Sequence, residues 1–171
     1  MFTLPGPVTH YSLPEDGVAA ELAFLSILHN PNPTYLQEYG FTWQALFAEI
    51  KQADANGVCV EMLLDKTQFC GPTEHARVLD LVACLQHSCV TITTSGPEAR
   101  HSSGIAHRKS IMDAISGLAC IGSVNASESG FLDQDNDLFV FQSLSFVTAA
   151  VTKFTLRKAW ARQHLAPFQV M

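Results

Sequence analysis

An α/β domain with parallel strand pairings is the fold class that this sequence predicts, on three observations. The chain has 171 residues, the length of one domain with a sizeable hydrophobic core. Hydrophobic residues make up 47% and charged residues 15%, so most of the chain is expected to be ordered. Short β-type runs alternate with longer segments that carry helical apolar spacing.

The elements follow in order. Residues 1–20, with three prolines in "MFTLPGPVTHYSLPEDG", read as an N-terminal arm, leaving 21–171 as the domain. "ELAFLSIL" (Glu21–Leu28) reads as a buried strand, with a short helix as the alternative. "HNPNP" stops it, because X-Pro steps disfavour both helix and central strand. "YLQEYGF" is a further strand candidate. Thr42 reads as the N-cap of a helix over "WQALFAEIKQADAN", with Leu46, Phe47 and Ile50 on one face and Asn56-Gly57 at its end. "VCVEMLL" (Val58–Leu64) is a strand with Asp65 at its end. "EHARVLDLVACLQ" has helical spacing through Val78, Leu81, Val82 and Leu85, and "CVTITT" is the next strand. The loop "SGPEARHSSG" leads to "IAHRKSIMD" and "LACIGSVN", two strands joined across Ala114–Gly117. "NASESGF" fits a short helix or turn, "DLFVFQS" a strand, and "FVTAAVTKFTLRKAWARQ" a closing amphipathic helix. Its stripe of Phe146, Ala150, Phe154 and Trp160 reads as core or dimer contact.

Charge and cysteine usage narrow the function. The net charge of −6 argues against a surface that grips nucleic acid everywhere, so an anionic substrate would need a local basic patch. Five scattered cysteines, mostly in apolar runs, read as reduced core-filling thiols, and no cluster has metal-ligand spacing. No secretory signal and no membrane-spanning run is seen, which leaves the cytoplasm as the expected compartment.

One segment carries chemistry: "HRKSIMDAISGLACIGSVNAS", His107 to Ser127. Strand alternation would put His107 and Lys109 on one face, and Ser123 and Asn125 on one face of the next strand. Paired, the two strands bring all four to one end of a sheet, where α/β proteins place ligand sites. A histidine serves as nucleophile or acid/base, a lysine neutralises phosphate oxygens, and serine or asparagine donates hydrogen bonds. Asp137 could supply a carboxylate. The bland alternative is a hairpin with polar outer faces, with Asn125 or Ser127 capping a helix. Average composition produces His-x-Lys followed at one fixed offset by Gly-Ser-x-Asn only roughly once in a million start positions. Arg100, His101 and Arg108 flank the set as candidate substrate-binding cations, whereas His10, His29, His75, His87 and His164 lack companions.

The segment resembles the signature of the phospholipase D superfamily: His-x-Lys, then Gly-Ser-x-Asn and a downstream acid. "YGFTWQALFAEIKQADANGVCVEMLLD" is similar to that family's helix followed by a Gly-Val-x-Val strand ending in Asp. The resemblance spans about residues 36–160. It implies a phospholipase D-like mixed, largely parallel sheet with helices on both faces. It also implies that His107 is nucleophile or proton donor, that Lys109 and Asn125 hold phosphate, that Ser123 supports them, and that Asp137 bonds the histidine. Asp137 stands where the family usually has Glu. Asp113 departs too, with three residues between it and Lys109 rather than four, and is left to a structural role. No cofactor and no metal are implied. Two histidines are needed and the chain has one copy of the motif, so single-motif membership implies a homodimer with a shared site. Such members are often nucleases, which makes nucleic acid the expected substrate. A lipid phosphodiester and an inactive binding or assembly module are the alternatives.

Overall fold

The computed structural model describes residues 6–69, 72–84, 90–95 and 107–164. Seven strands form one sheet: β1 (Val8–Leu13), β2 (Thr34–Glu38), β3 (Val60–Asp65), β4 (Val90–Ser95), β5 (Ser110–Asp113), β6 (Leu118–Gly122) and β7 (Asn136–Gln142). Among the described residues six α-helices accompany them: α1 (Gly17–Ser26), α2 (Gln44–Ala55), α3 (Lys66–Phe69), α4 (Pro72–Cys84), α5 (Glu128–Leu132) and α6 (Leu144–His164). The strand order is β1-β7-β6-β5-β2-β3-β4.

The α/β class and the mixed sheet are as expected, but the sheet is not largely parallel. Only β2/β3 and β3/β4 pair in parallel, each through a helical crossover. The other four neighbouring pairs are antiparallel. A short connection decides one of these pairs. The Ala114–Gly117 turn is too short for a crossover, so β5 and β6 must form a hairpin. Gly117 takes φ +74° there, and a Cβ would meet the Leu144 backbone at 2.8 Å.

Strand alternation sorts the side chains between two cores. Leu36, Val60, Met62, Leu64, Ile111, Cys120 and Leu138 face α1, α2, α4 and α5. Leu63, Met112 and Ala119 face α6, which buries Val147, Phe154 and Ala161. Helix α6 is also fastened by Lys158, whose Nζ donates to Glu61 Oε2 at 2.8 Å and Thr91 Oγ1 at 3.1 Å. Its Phe154 is core, and Phe146, Ala150 and Trp160 pack against it partly buried.

Several expectations need correction. Glu21–Leu28 lies in α1 and the 3₁₀ turn after it (Ile27–His29), not in a strand. Ala, Leu and Glu favour helix, and Ala20 and Phe24 supply its buried face. Within the expected arm, Val8–Leu13 forms edge strand β1, paired with β7 from Val8↔Phe141 to Leu13↔Asn136. Thr42 does not cap α2. Its amide and that of Trp43 both donate to the Ala126 carbonyl, at 2.9 and 3.0 Å, and no side chain caps the helix. The other end of α2 is as expected. Gly57 (φ +74°) donates to Asp54 and Val58 to Ala53, the double bond of a Schellman terminus. Cys120 fills the core, its thiol pushed up to about 12 by burial, whereas Cys59 and Cys84 lie at the surface. Cys70 and Cys89 lie outside the described residues.

Candidate functional site

The site forms where β2, β3 and β5 end or begin on one edge of the sheet. Neither half of the motif is itself strand: His107 and Lys109 precede β5, and Ser123 and Asn125 follow β6. Sheet geometry still aims them. Lys109 is 4% exposed and enters the site beside Tyr39, at the end of β2. Its Nζ lies 2.8 Å from His107 Nε2 and 5.2 Å from the centre of the Tyr39 ring. The Tyr39 ring also meets the His107 ring edge-on, 4.5 Å between centres, and its hydroxyl accepts from Gln68 Nε2 at 2.8 Å. An ammonium can only donate, so His107 Nε2 is the acceptor and the imidazole proton sits on Nδ1. Burial pushes the His107 pKa down, the Lys109 charge pushes it further, and Asp65 opposes both. Burial lowers Lys109 as well, against the pull of Glu38. Burial and the lysine charge both favour the neutral ring, whose Nε2 lone pair is directed at the lysine.

Asn125 reaches the same edge through the segment after β6. The Ala126 carbonyl accepts from Thr42 and Trp43, its amide donates to Glu38 Oε2 at 3.3 Å, and a bridge joins it to Phe41. Asn125 therefore lies along Gly40, where an added Cβ would stand 3.3 Å from its Cγ. Ser127 takes the capping role, accepting from Gly130 N at 3.0 Å at the start of α5.

Ser123 and Asp137 are placed differently. Ser123 Oγ donates to Asn136 Oδ1 at 2.9 Å and accepts from Asp137 N at 3.0 Å. The Asp137 carboxylate does not reach His107; its Oδ1 lies 2.6 Å from His10 Nε2 on edge strand β1. Leu138 faces the core shared with α1 and α5, so Asp137 points to the other side, beside His10, which stacks on Phe139; β6 separates β7 from β5. Asn136, one residue earlier, holds Ser123 instead, and its Nδ2 donates to Gly130 O at 3.0 Å. The carboxylate that acts on the His107 charge is Asp65, at the end of β3. Arg108 is exposed and, with His107, Lys109, Gln37 and Arg157, lines a cavity of ≈ 340 Å³ on the α6 side. Arg100 and His101 lie outside the described residues.

Asp113 belongs to the scaffold. It is 0% exposed and accepts four hydrogen bonds: Asn30 Nδ2 at 3.1 Å, Asn32 Nδ2 at 3.0 Å, Ile115 N at 2.9 Å and Ser116 N at 3.0 Å. It ties the "HNPNP" segment to the β5–β6 turn.

A family model described as "Cardiolipin synthase, PLD-like domain" matches residues 32–158. The chain belongs to the phospholipase D-like (PLD-like) domain family. Solved structures agree at the level of the fold. NucT from Helicobacter pylori superposes with a TM-score of 0.77 at 17% identity, over 88% of this chain and 94% of that one. Nuc from Salmonella typhimurium, a phospholipase D family member, gives 0.73 at 18% identity, over 88% and 93%. The archaeal chromatin protein TrmBL2 gives 0.60 at 12% identity, over 95% of this chain and 55% of that one. No curated protein matches the chain.

Several residues beside the candidate site were missed by motif reading. Tyr39, Gln37 and Asn136 carried no signal in one sequence. Glu38 did. It alternates with Leu36 in "YLQE", so a strand that buries Leu36 must bury a carboxyl as well, and Glu38 is 1% exposed. Among the described residues no group of three or more His, Cys, Asp or Glu is arranged to hold a metal. None of the described helices is long and apolar enough to cross a membrane.

Proposed function

We propose that this PLD-like domain is a metal-independent phosphodiesterase, a nuclease, working through a phosphohistidine at a site shared by two copies of the chain. The observation that carries the reading is the Lys109–His107 pair, in which a buried ammonium donates to the nitrogen that would attack. A phosphoryl oxygen bound at Lys109 takes over its N–H groups and releases the Nε2 lone pair beside phosphorus. Nε2 attacks, the bond to the leaving oxygen breaks, and a second imidazole gives that oxygen its proton. Water then attacks phosphorus and passes a proton to the second imidazole. The N–P bond breaks, its electron pair returns to Nε2, and a phosphate monoester leaves. Asn125 holds phosphate with Lys109, and Ser123 acts through the loop it braces.

The second imidazole is assigned to the partner subunit's His107. His10 is spoken for by Asp137 and sits three strand spacings from β5, about 14 Å, too far to serve one phosphorus. A two-fold axis through the site supplies the missing group with no further residue. Arg108 on the cavity wall, with Arg100 and His101, is assigned to the flanking substrate charge. A lipid phosphodiester is the second reading, favoured by the name of the matching family model.

Purified chain is incubated with single- and double-stranded DNA, RNA and cardiolipin vesicles in excess EDTA, with His107→Asn as control. Nucleic-acid cleavage absent from the control supports the nuclease. Turnover of lipid alone selects the second reading, and strict dependence on added Mg²⁺ or Mn²⁺ refutes the mechanism. No turnover of anything leaves a binding or assembly module.

A further inference from the structure

Glu38 ends β2 on the side of the sheet that faces α1 and α5, at 1% exposure. One carboxyl oxygen, Oε2, accepts from Ala126 N at 3.3 Å. The other, Oε1, is buried with no hydrogen-bond partner. Ala126 follows Asn125, whose Oδ1 is also buried with no partner. The Asn125 side chain packs on Gly40, two residues beyond Glu38, with Oδ1 3.5 Å from where a Cβ would stand. Two unpaired acceptors therefore flank the hydrogen bond from Ala126 N to Glu38. Acceptors cannot satisfy each other, and leaving both unpaired in a dry site is costly. A single proton on Glu38 answers for both.

We propose that Glu38 is a positioning residue of this site: a neutral carboxylic acid that accepts from Ala126 through Oε2 and donates from Oε1 to Asn125 Oδ1, turning the Asn125 amide NH₂ toward the bound phosphate. Burial acts in the same direction, raising this carboxyl well above the usual range, opposed by the Ala126 amide and by Lys109, the charged group that faces it. The Lys109 ammonium donates to His107 Nε2 at 2.8 Å rather than to a Glu38 oxygen. The contribution to turnover is geometric. Asn125 can hold a phosphoryl oxygen only if its donor end faces out, and Glu38 fixes which end that is.

The role rests on reading the site as a phosphate-binding centre, so the test has one arm that does not need turnover. Glu38→Leu removes both bonds and is expected to lower kcat by about 10- to 100-fold, the scale of a misplaced substrate contact. Glu38→Gln copies the neutral acid, its carbonyl accepting from Ala126 and its NH₂ donating to Asn125, and is expected to rescue most of that loss. A Gln variant as damaged as Leu would mean that the charge matters, and a fully active Leu variant would mean that nothing is positioned; either overturns the assignment. Should Leu fail to fold, infrared difference spectra of wild type against Glu38→Gln decide. A protonated-carboxyl carbonyl stretch at neutral pH, absent from Gln, is expected, and its absence in the wild type overturns the proposal. If the wild type cleaves no phosphodiester but shows that band, the nuclease reading fails while the Glu38 assignment stands.

Discussion

Asp113→Ala separates scaffold from chemistry in this domain. The carboxylate is fully buried and its four bonds join Asn30, Asn32 and the amides of Ile115 and Ser116. Hydrogen bonds to a charged group are worth about 1.5–3 kcal/mol each. Asn30, Asn32 and Ser116 keep partial access to water and can be re-solvated once the carboxylate is gone. At about 1 kcal/mol for each of the four bonds, the loss is about 4 kcal/mol, a large fraction of the 5–15 kcal/mol typical of a domain. For a chain of this length that lowers Tm by about 10 °C. The pH dependence has a definite sign. Burial alone would raise the Asp113 pKa, but the bonds from Asn32, Ser116 and Ile115 hold it below the usual carboxylate value of 3.8. Its contribution is complete above the unfolded pKa and disappears as pH falls through the lower folded one, so the gap between wild type and variant should close in acid. Denaturant melts at neutral and acidic pH, with turnover per folded molecule at moderate temperature, provide the assay. A variant as stable as wild type at neutral pH, or a folded variant as inactive as His107→Asn, would refute the scaffold role.

Three further outcomes are expected. When wild-type and His107→Asn chains are co-refolded in equal amounts, activity should fall to about one quarter if the site is shared and about one half if each subunit is complete; kinetics on the mixture distinguish the two. Gly40→Ala puts a Cβ 3.3 Å from Asn125 Cγ, so turnover should fall about tenfold while a denaturant melt shows no loss of stability, because alanine restricts the unfolded chain more than glycine. Lys109→Met should raise the His107 pKa in an NMR titration toward its ordinary value near 6.5, because one of the causes that lower it is the lysine's charge. An unchanged midpoint would show that Lys109 does not act on the ring.

Local sequence by itself determined much of this domain. Apolar periodicity placed β2 to β4, α2, α4 and the β5–β6 hairpin, because each is built from spacing within a dozen residues. The paired His-x-Lys and Gly-Ser-x-Asn pointed to the candidate site, and they stand just before β5 and just after β6. Periodicity was silent where alternatives were locally equal. Glu21–Leu28 suits a buried strand or a buried helix, and only the core around Phe24, Trp43 and Phe131 selected the helix. Strand β1 exists because an edge of β7 was available to pair with it, which no property of Val8–Leu13 announces. The acid at the site is the clearest case. Asp137 and Asn136 differ by one position, and one position in a strand is the difference between its two faces. Tertiary structure gave Asn136 to Ser123 and Asp137 to His10, and brought Glu38, Tyr39 and Asp65 to the candidate site from strand ends 42 to 71 residues before Lys109 and His107 in the chain. Those contacts depend on sheet order, and sheet order is set by which buried faces pack together rather than by any single stretch of residues.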